Sequence, residues 1–397
     1  MQASSLNQVM SEVMNERALA VLAGNDAPSA GHVVSWSVDR DHYGSAHELA
    51  TRRAHATRLA GLKGYRYHGE AGPLDGNVSD SAPVYLVPSD TIVGCDLARS
   101  MGVHSESDLF GGVVPFGYVA TKAISHPLHG VAAAPEGWAT AFAPRIRQSV
   151  LDGYSAYSEA DARRAGRWLL RGGKVRIKPV RATGGCGQTV ATDAPSLDRL
   201  LAEVPGIDTD GVVLERNLRS PRTLSVGQVA VGELRVSYYG QQRLARNHEG
   251  EWVYGGSDLT CVRGDLDTLH ALPGLSIDLR LAIDQARAYH AAVIESFPGF
   301  MASRINYDVA QGNDDSGRWC SGVLEQSWRI GGASGAEIVA MEAFRDQPER
   351  RTAHASTVEV FGETALPPGA YVYFNDIDPA VGRLTKYAFV EPNADPT

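Results

Sequence analysis

Residues 305–311 (INYDVAQ) and 319–328 (WCSGVLEQSW) are two β-rich runs on either side of polar turn material at 312–317, a pattern that predicts an antiparallel hairpin. With Ser316-Gly317 as a two-residue turn, Asp308 and Glu325 fall opposite each other on one face, their Cβ atoms about 5 Å apart. Two facing carboxylates among Tyr, Val, Leu and Trp repel unless one is protonated or a cation lies between them. A hard divalent ion such as Mg2+, bridging to nucleotide phosphates, is the expected solution. A longer turn that includes residues 313–315 changes the register. The plainer alternative has the two carboxylates separately solvated, or paired with Arg304 and Arg329.

The chain has 397 residues, 43% of them hydrophobic, which is enough for two or three cores. Its net charge of −9 gives no broad basic footprint, so neither nucleic acid nor an anionic membrane is an expected partner. Cys95, Cys186, Cys261 and Cys320 are scattered without metal-ligand spacing, which argues against disulfides and structural zinc and fits a reducing cytoplasm. Residues 1–24 read as a short amphipathic helix rather than a signal peptide, and 25–31 as a linker. No stretch is long and apolar enough to span a bilayer.

Residues 32–38 suit a strand, 45–62 a helix and 84–87 a second buried strand, an order that predicts an open α/β layer for the first third. Residues 128–146, rich in Ala, Pro and Gly, read as a connection between domains. Ser158 opens a helix with a capping-box-like start that runs to about Leu170. Strands are expected at 174–180 and 212–215, alternating antiparallel strands at 224–239, and the clearest helix at 279–297.

Between these elements, Lys178-Pro179 leads through Arg181 into Gly184, Gly185 and Gly187. The glycines let backbone N–H groups approach phosphate oxygens, and Lys178 supplies charge. No Gly-Lys-Ser/Thr follows, so this is not a Walker loop. The run resumes as a strand at 189–191 rather than a helix, so it is not a dinucleotide fingerprint; a glycine-rich hairpin turn is the alternative. His126, before Pro127, has no carboxylate nearby in sequence and reads as structural. Cys186 has glycine neighbours that supply no base.

This order of elements resembles the ATP-grasp superfamily. There, a strand ending in Lys-Pro leads into a glycine-rich loop over the phosphates, and a hydrophobic strand ending in Glu contacts the adenine end. An acidic residue on one strand, and Glu-x-Asn with a nearby Arg on the next, then hold Mg2+. The matching positions are Lys178-Pro179 with Gly184, Gly185 and Gly187, then Val213-Leu214-Glu215, Asp308, and Glu325-Gln326-Ser327-Trp328-Arg329. The likeness covers roughly residues 150–345. Residues 254–259 (YGGSDL) and 329–337 (RIGGASGAE) look, more narrowly, like a bacterial family of unknown function. The sequence departs from the superfamily pattern in three places. Ser327 stands where Asn is usual, Lys122 is a candidate for the first family lysine although Arg145 and Arg147 lie nearer its expected place, and Thr223 takes about the position of the ribose-binding acid.

The resemblance implies a mixed α/β and α+β chain of ATP-grasp architecture. Residues 1–30 would form a helix and linker, 31–150 an N-terminal open α/β domain, 151–222 a small central lid subdomain, and 223–397 a C-terminal catalytic domain of antiparallel sheet and helices. It further implies ATP and Mg2+ as cofactors. A small-molecule or peptide carboxylate would be activated as an acyl phosphate and attacked by an amine. Asp308 and Glu325, with Ser327, would hold the metal, and Lys178, Lys122, the glycines and Glu215 the nucleotide. Arg304 and Arg329 would face the transferring phosphoryl group, because a guanidinium fork suits planar oxyanions. The loop Gly331-Gly332-Ala333-Ser334-Gly335 either offers N–H groups to a carboxylate or simply connects into a helix. Arg243, Arg246, Tyr254, Ser257 and Asp258 either line a substrate pocket or form a solvated sheet face. A nucleotide-binding regulatory protein without turnover, and a phosphotransferase acting on a hydroxyl, are the rival readings; a homodimer is one expected assembly.

Overall fold

Strand β1 (His32–Trp36) carries the apolar run Val33-Val34 and pairs in parallel with β2 (Arg66–Ala71) on one side and β3 (Val84–Pro88) on the other. These coordinates are a computed structural model that describes residues 30–37, 44–71, 82–130, 132–181 and 187–392. The expected N-terminal helix at 1–24, most of the linker after it, and Gly184 and Gly185 lie outside the described residues. Helix α1 (Ala46–Lys63) joins β1 to β2 and ends at Gly64, whose φ of 68° is the left-handed stop that glycine takes at little cost. Strand, helix, strand at 32–87 was expected; β2 was not. Its sequence, RYHGEA, lacks the alternation that marks a half-buried strand, and the parallel partner supplies the pairing. Two short strands, β4 (Ile92–Val93) and β5 (Gly112–Val114), pair in parallel in a separate small sheet.

The central region holds β6 (Gly153–Ala156), helix α2 (Glu159–Leu169), β7 (Val175–Pro179), β8 (Thr189–Ala191), helix α3 (Ala194–Ala202) and β9 (Val212–Arg216). The Ser158 side chain accepts from the Asp161 N–H, which is the cap expected for α2. The four strands form an antiparallel sheet in the order β6-β9-β7-β8. Val175, Ile177, Val212 and Leu214 pack under α2 and α3 against Ala162, Ala165, Leu197 and Leu201. Side chains alternate along a strand, so Lys178 and Glu215 are driven to the opposite face together with Val213. That parity is what brings them near each other.

The rest of the chain builds an eight-stranded antiparallel sheet from β10 (Arg219–Val231), β11 (Leu234–Arg246), β12 (Trp252–Arg263), β14 (Arg304–Asn313), β15 (Trp319–Ser327), β16 (Thr352–Val360), β17 (Tyr371–Asp378) and β18 (Gly382–Val390). Its order is β15-β14-β10-β11-β12-β16-β18-β17, while β13 (Met301–Ala302) pairs with β5 instead. Helix α4 (Ile277–Ser296), capped by the Ser276 side chain, covers one face with Ile283, Ala286, Tyr289 and Val293 against Val226, Ile305, Tyr307, Val309 and Val323. Helix α5 (Ser334–Asp346) covers the other, where Met341 and Phe344 join Val229, Tyr238 and the α1 residues Ala56 and Leu59 in a second core. The odd positions of β14 therefore feed the α4 core. Its even positions, Arg304, Asn306 and Asp308, face the α5 side. Among the described residues, no helix is long and apolar enough to cross a membrane.

Candidate functional site

Asp308 and Glu325 pair directly across the β14–β15 ladder, as expected, but by a different route. The turn is longer than two residues: Asn313 pairs with Trp319, so residues 314–318 form the connection, and Asp314 Oδ1 accepts from the backbone N–H groups of Ser316 and Arg318. That turn alone sets a register in which Val309 opposes Val323. One extra residue on β15, Leu324, then shifts the ladder and puts Glu325 opposite Asp308. The bulged Leu324 packs against the small cluster of Leu151, Leu218 and Ala310. A bulge re-aims the side chains beside it, and here it re-aims Glu325.

Asp308 is held by three donors. Ser225 Oγ and Asn306 Nδ2 reach Oδ1 at 2.8 and 3.1 Å, and Gln242 Nε2 reaches Oδ2 at 3.2 Å. Burial, then the facing charge of Glu325, nevertheless push its pKa up to about 6. The three neutral donors do not offset that cost; a cation would. Lys122, 5% exposed, places Nζ 3.0 Å from Glu325 Oε2. The donors here are hard oxygens from facing carboxylates, which fits Mg2+ in kind. Among the described residues, no third acidic, His or Cys side chain joins them. Ser327 Oγ lies on the same stretch of β15 and accepts from Arg304 Nη1 at 3.2 Å.

Arg304, expected to face a phosphoryl group, is 2% exposed and pairs with the fully buried Glu337 of α5. Nε donates to both carboxylate oxygens at 3.1 Å and Nη2 to Oε1 at 2.8 Å. Nη1 donates to the Ser327 oxygens and, at 2.6 Å, to the Arg329 carbonyl. Burial works against its charge, but Glu337 raises its pKa well beyond the usual value. Tyr238 completes the group, its hydroxyl 2.6 Å from Glu337 Oε1 and 3.0 Å from Asn306 Oδ1. Arg329 is a quarter exposed and lies 3.6 Å from Asp90, in the loop after β3. Gly332 lies close against the hydroxyl end of the Tyr254 ring, where a Cβ would sit 2.5 Å from Cζ. Of the expected polar cluster, Tyr254 and Ser257 bond each other and Thr357, Arg243 pairs with Asp258, and Arg246 stacks on Trp252.

On the central sheet, Lys178 Nζ lies 2.7 Å from Glu215 Oε1, and His126 Nε2 lies 3.1 Å from Oε2. All three are buried. Burial alone would raise Glu215, but Lys178 and His126 hold its pKa at about 2. His126 thus gains a carboxylate 89 residues away in sequence. Gly187 takes a left-handed φ of 66° at the end of the glycine-rich segment. Lys122 and His126 lie on one strap: a 3₁₀ turn, Lys122–Ser125, followed by His126. Gln326 Nε2 ties it to β15 through the Val119 and Thr121 carbonyls, and Ser155 ties it to β6 through the Ala123 and Pro127 carbonyls. Ser225, Gln242, Tyr238 and Asp90 carried no sequence signal, because each joins the site through a partner distant in the chain; Asn306 and Glu337 lie within the runs 305–311 and 329–337, but residue type alone gave neither of them a role.

A family model described as "Protein of unknown function (DUF3182)" matches residues 34–388. No curated protein matches the sequence. Solved structures do share the fold. N5-carboxyaminoimidazole synthetase from Staphylococcus aureus superposes with a TM-score of 0.53 at 10% identity, over 93% of this chain and 95% of that one. The corresponding Aspergillus clavatus synthase, in complex with ADP and aminoimidazole ribonucleotide, gives 0.51 at 10% identity over 92% and 95%. Campylobacter jejuni biotin carboxylase, as its β-γ-ATP complex, gives 0.51 at 11% identity over 90% and 87%. These are ATP-grasp enzymes, and the architecture of this chain is the ATP-grasp one.

Proposed function

We propose, for a chain that belongs to the family described as Protein of unknown function (DUF3182), an ATP-dependent ligase activity in which a carboxylate is activated as an acyl phosphate and captured by an amine. The observation that carries this reading is the in-register Asp308–Glu325 pair, with Asp308 pushed up to about 6 by burial and by the facing Glu325, on an ATP-grasp fold. Asp308 and Glu325 hold Mg2+, with Ser327 Oγ the weaker neighbour because it already receives an Arg304 N–H. The ion, when bound, neutralises charge on the polyphosphate.

The protein's own part is positioning and dipoles rather than a nucleophile of its own. Lys178, anchored by Glu215, supplies fixed positive charge beside the segment that contains Gly184, Gly185 and Gly187. Arg329, with part of its surface open, is the cation that meets the transferred phosphoryl group and acyl phosphate. Arg304 acts one step back: through Ser327, the Arg329 carbonyl and Glu337 it fixes the chain that carries Arg329. The acid and amine are small molecules in this reading, and Asp90 of the N-terminal layer, 3.6 Å from Arg329, lies next to the cation that would meet them.

Glu325→Gln is expected to abolish Mg-dependent ATP binding and hydrolysis while the protein stays folded by circular dichroism. Full retention of both in that variant removes the metal assignment. Phosphate release that requires both an acid and an amine supports the ligase; a stable phosphorylated product supports the phosphotransferase; tight nucleotide binding without turnover across a broad acid panel supports a regulatory role.

A further inference from the structure

One short strap touches both halves of the site. At its start Lys122 Nζ sits 3.0 Å from Glu325 of the carboxylate pair, and four residues on His126 holds Glu215, which holds Lys178. The 3₁₀ turn Lys122–Ser125 rises only about 2 Å per residue, so the Lys122 end and the His126 end of the strap, and with them the carboxylate pair and Lys178, are joined by a short stretch of chain. The Thr121 side chain caps the turn by accepting from the Ala123 N–H, and Gln326, the residue after Glu325, fixes its backbone. Lys122 is therefore a built-in cation on one carboxylate of a pair that otherwise has too little positive charge.

We propose that Lys122 is an exchangeable counter-ion: it pairs with Glu325 while the metal is absent, and passes to the polyphosphate when metal and nucleotide arrive together. The proposal rests on the Mg-ATP reading above and adds a consequence to it. A divalent ion arriving alone must settle beside an ammonium, and like charges at this range repel. A nucleotide polyphosphate arriving with it gives Lys122 a new partner and removes the repulsion. Metal and nucleotide then bind cooperatively, with the coupling located in one side chain.

Mn2+ and ADP serve as probes, with binding to the full-length chain measured by electron paramagnetic resonance and calorimetry. Wild type should bind Mn2+ alone weakly and much more tightly with ADP present. Lys122→Met should bind Mn2+ alone about tenfold more tightly than wild type, yet bind ADP in the presence of Mn2+ about tenfold more weakly. Lys122→Arg, which keeps the charge, should restore the wild-type order. A structural lysine would lower both affinities or neither, and either result overturns the exchange. Wild-type Mn2+ binding that is indifferent to ADP overturns it too, without recourse to a variant. If neither protein binds Mn2+ or ADP at all, the Mg-ATP reading falls as well; if wild type binds both and only the opposed shifts are missing, the exchange alone falls.

Discussion

Arg304 and Glu337 show how far residue type alone can mislead. A buried guanidinium that gives three hydrogen bonds to one carboxylate and others to the Ser327–Arg329 chain is committed before any ligand arrives. Removing one member strands the other in a low-dielectric interior. Glu337→Gln keeps the shape but not the charge, and should cost about 3–5 kcal/mol in urea unfolding. Arg304→Lys should lose stability too, because an ammonium cannot reproduce the fork. Losses under about 1 kcal/mol would show that water reaches the pair and screens it. The sequence offered Arg304 as a phosphate ligand because arginine suits phosphates. What decides its part is Glu337, 33 residues on, carried in by α5. The same distance problem hid the carboxylate partner of His126, whereas Asp308 and Glu325 were legible because a hairpin makes contacts local.

At the level of elements, the hairpin and the strap were readable to different degrees. Alternation and turn chemistry located β14 and β15, and even their key pair, yet the five-residue turn and the Leu324 bulge are two irregularities that offset each other. No periodic pattern announces a bulge. The strap was harder still: its residues 119–128 bond to β15, β6 and β9 through side chains and carbonyls, without a periodicity of its own. Gly153 on β6 shows how closely it is seated, since a Cβ there would lie 2.7 Å from the His126 ring and 2.8 Å from the Leu214 carbonyl. Gly153→Ala should therefore displace the ring from Glu215. The expected result is a severalfold loss of ADP affinity with Mn2+ binding at the hairpin retained, because Gln326 secures the Lys122 end separately. Equal ADP affinity in the variant would show that His126 does not govern the posture of Glu215 and Lys178.

The whole molecule registers these sites in its dependence on pH, and two carboxylates pull in opposite directions. Glu215 is held at about 2 in the fold against 4.5 for a free side chain, so the unfolded chain binds its proton more readily. Its contribution is complete above about pH 4.5 and is lost as pH falls toward 2. Asp308 has the reverse sign: at about 6 against 3.8, the folded state holds the proton longer, so metal-free stability declines as pH rises from about 4 through 6. In the reading proposed above, a divalent cation would take the place of that proton. Saturating Mg2+ should then raise the melting temperature clearly at pH 7.5 and hardly at all at pH 4.5, where protons already occupy the site. The difference between wild type and Asp308→Asn isolates the effect from every other titrating group: the variant should lose both the decline between pH 4 and 6 and the stabilisation by Mg2+. A Mg2+-induced rise that is equal at the two pH values, or that survives in Asp308→Asn, would place the ion elsewhere on this acidic chain and detach the hairpin carboxylates from the chemistry assigned to them.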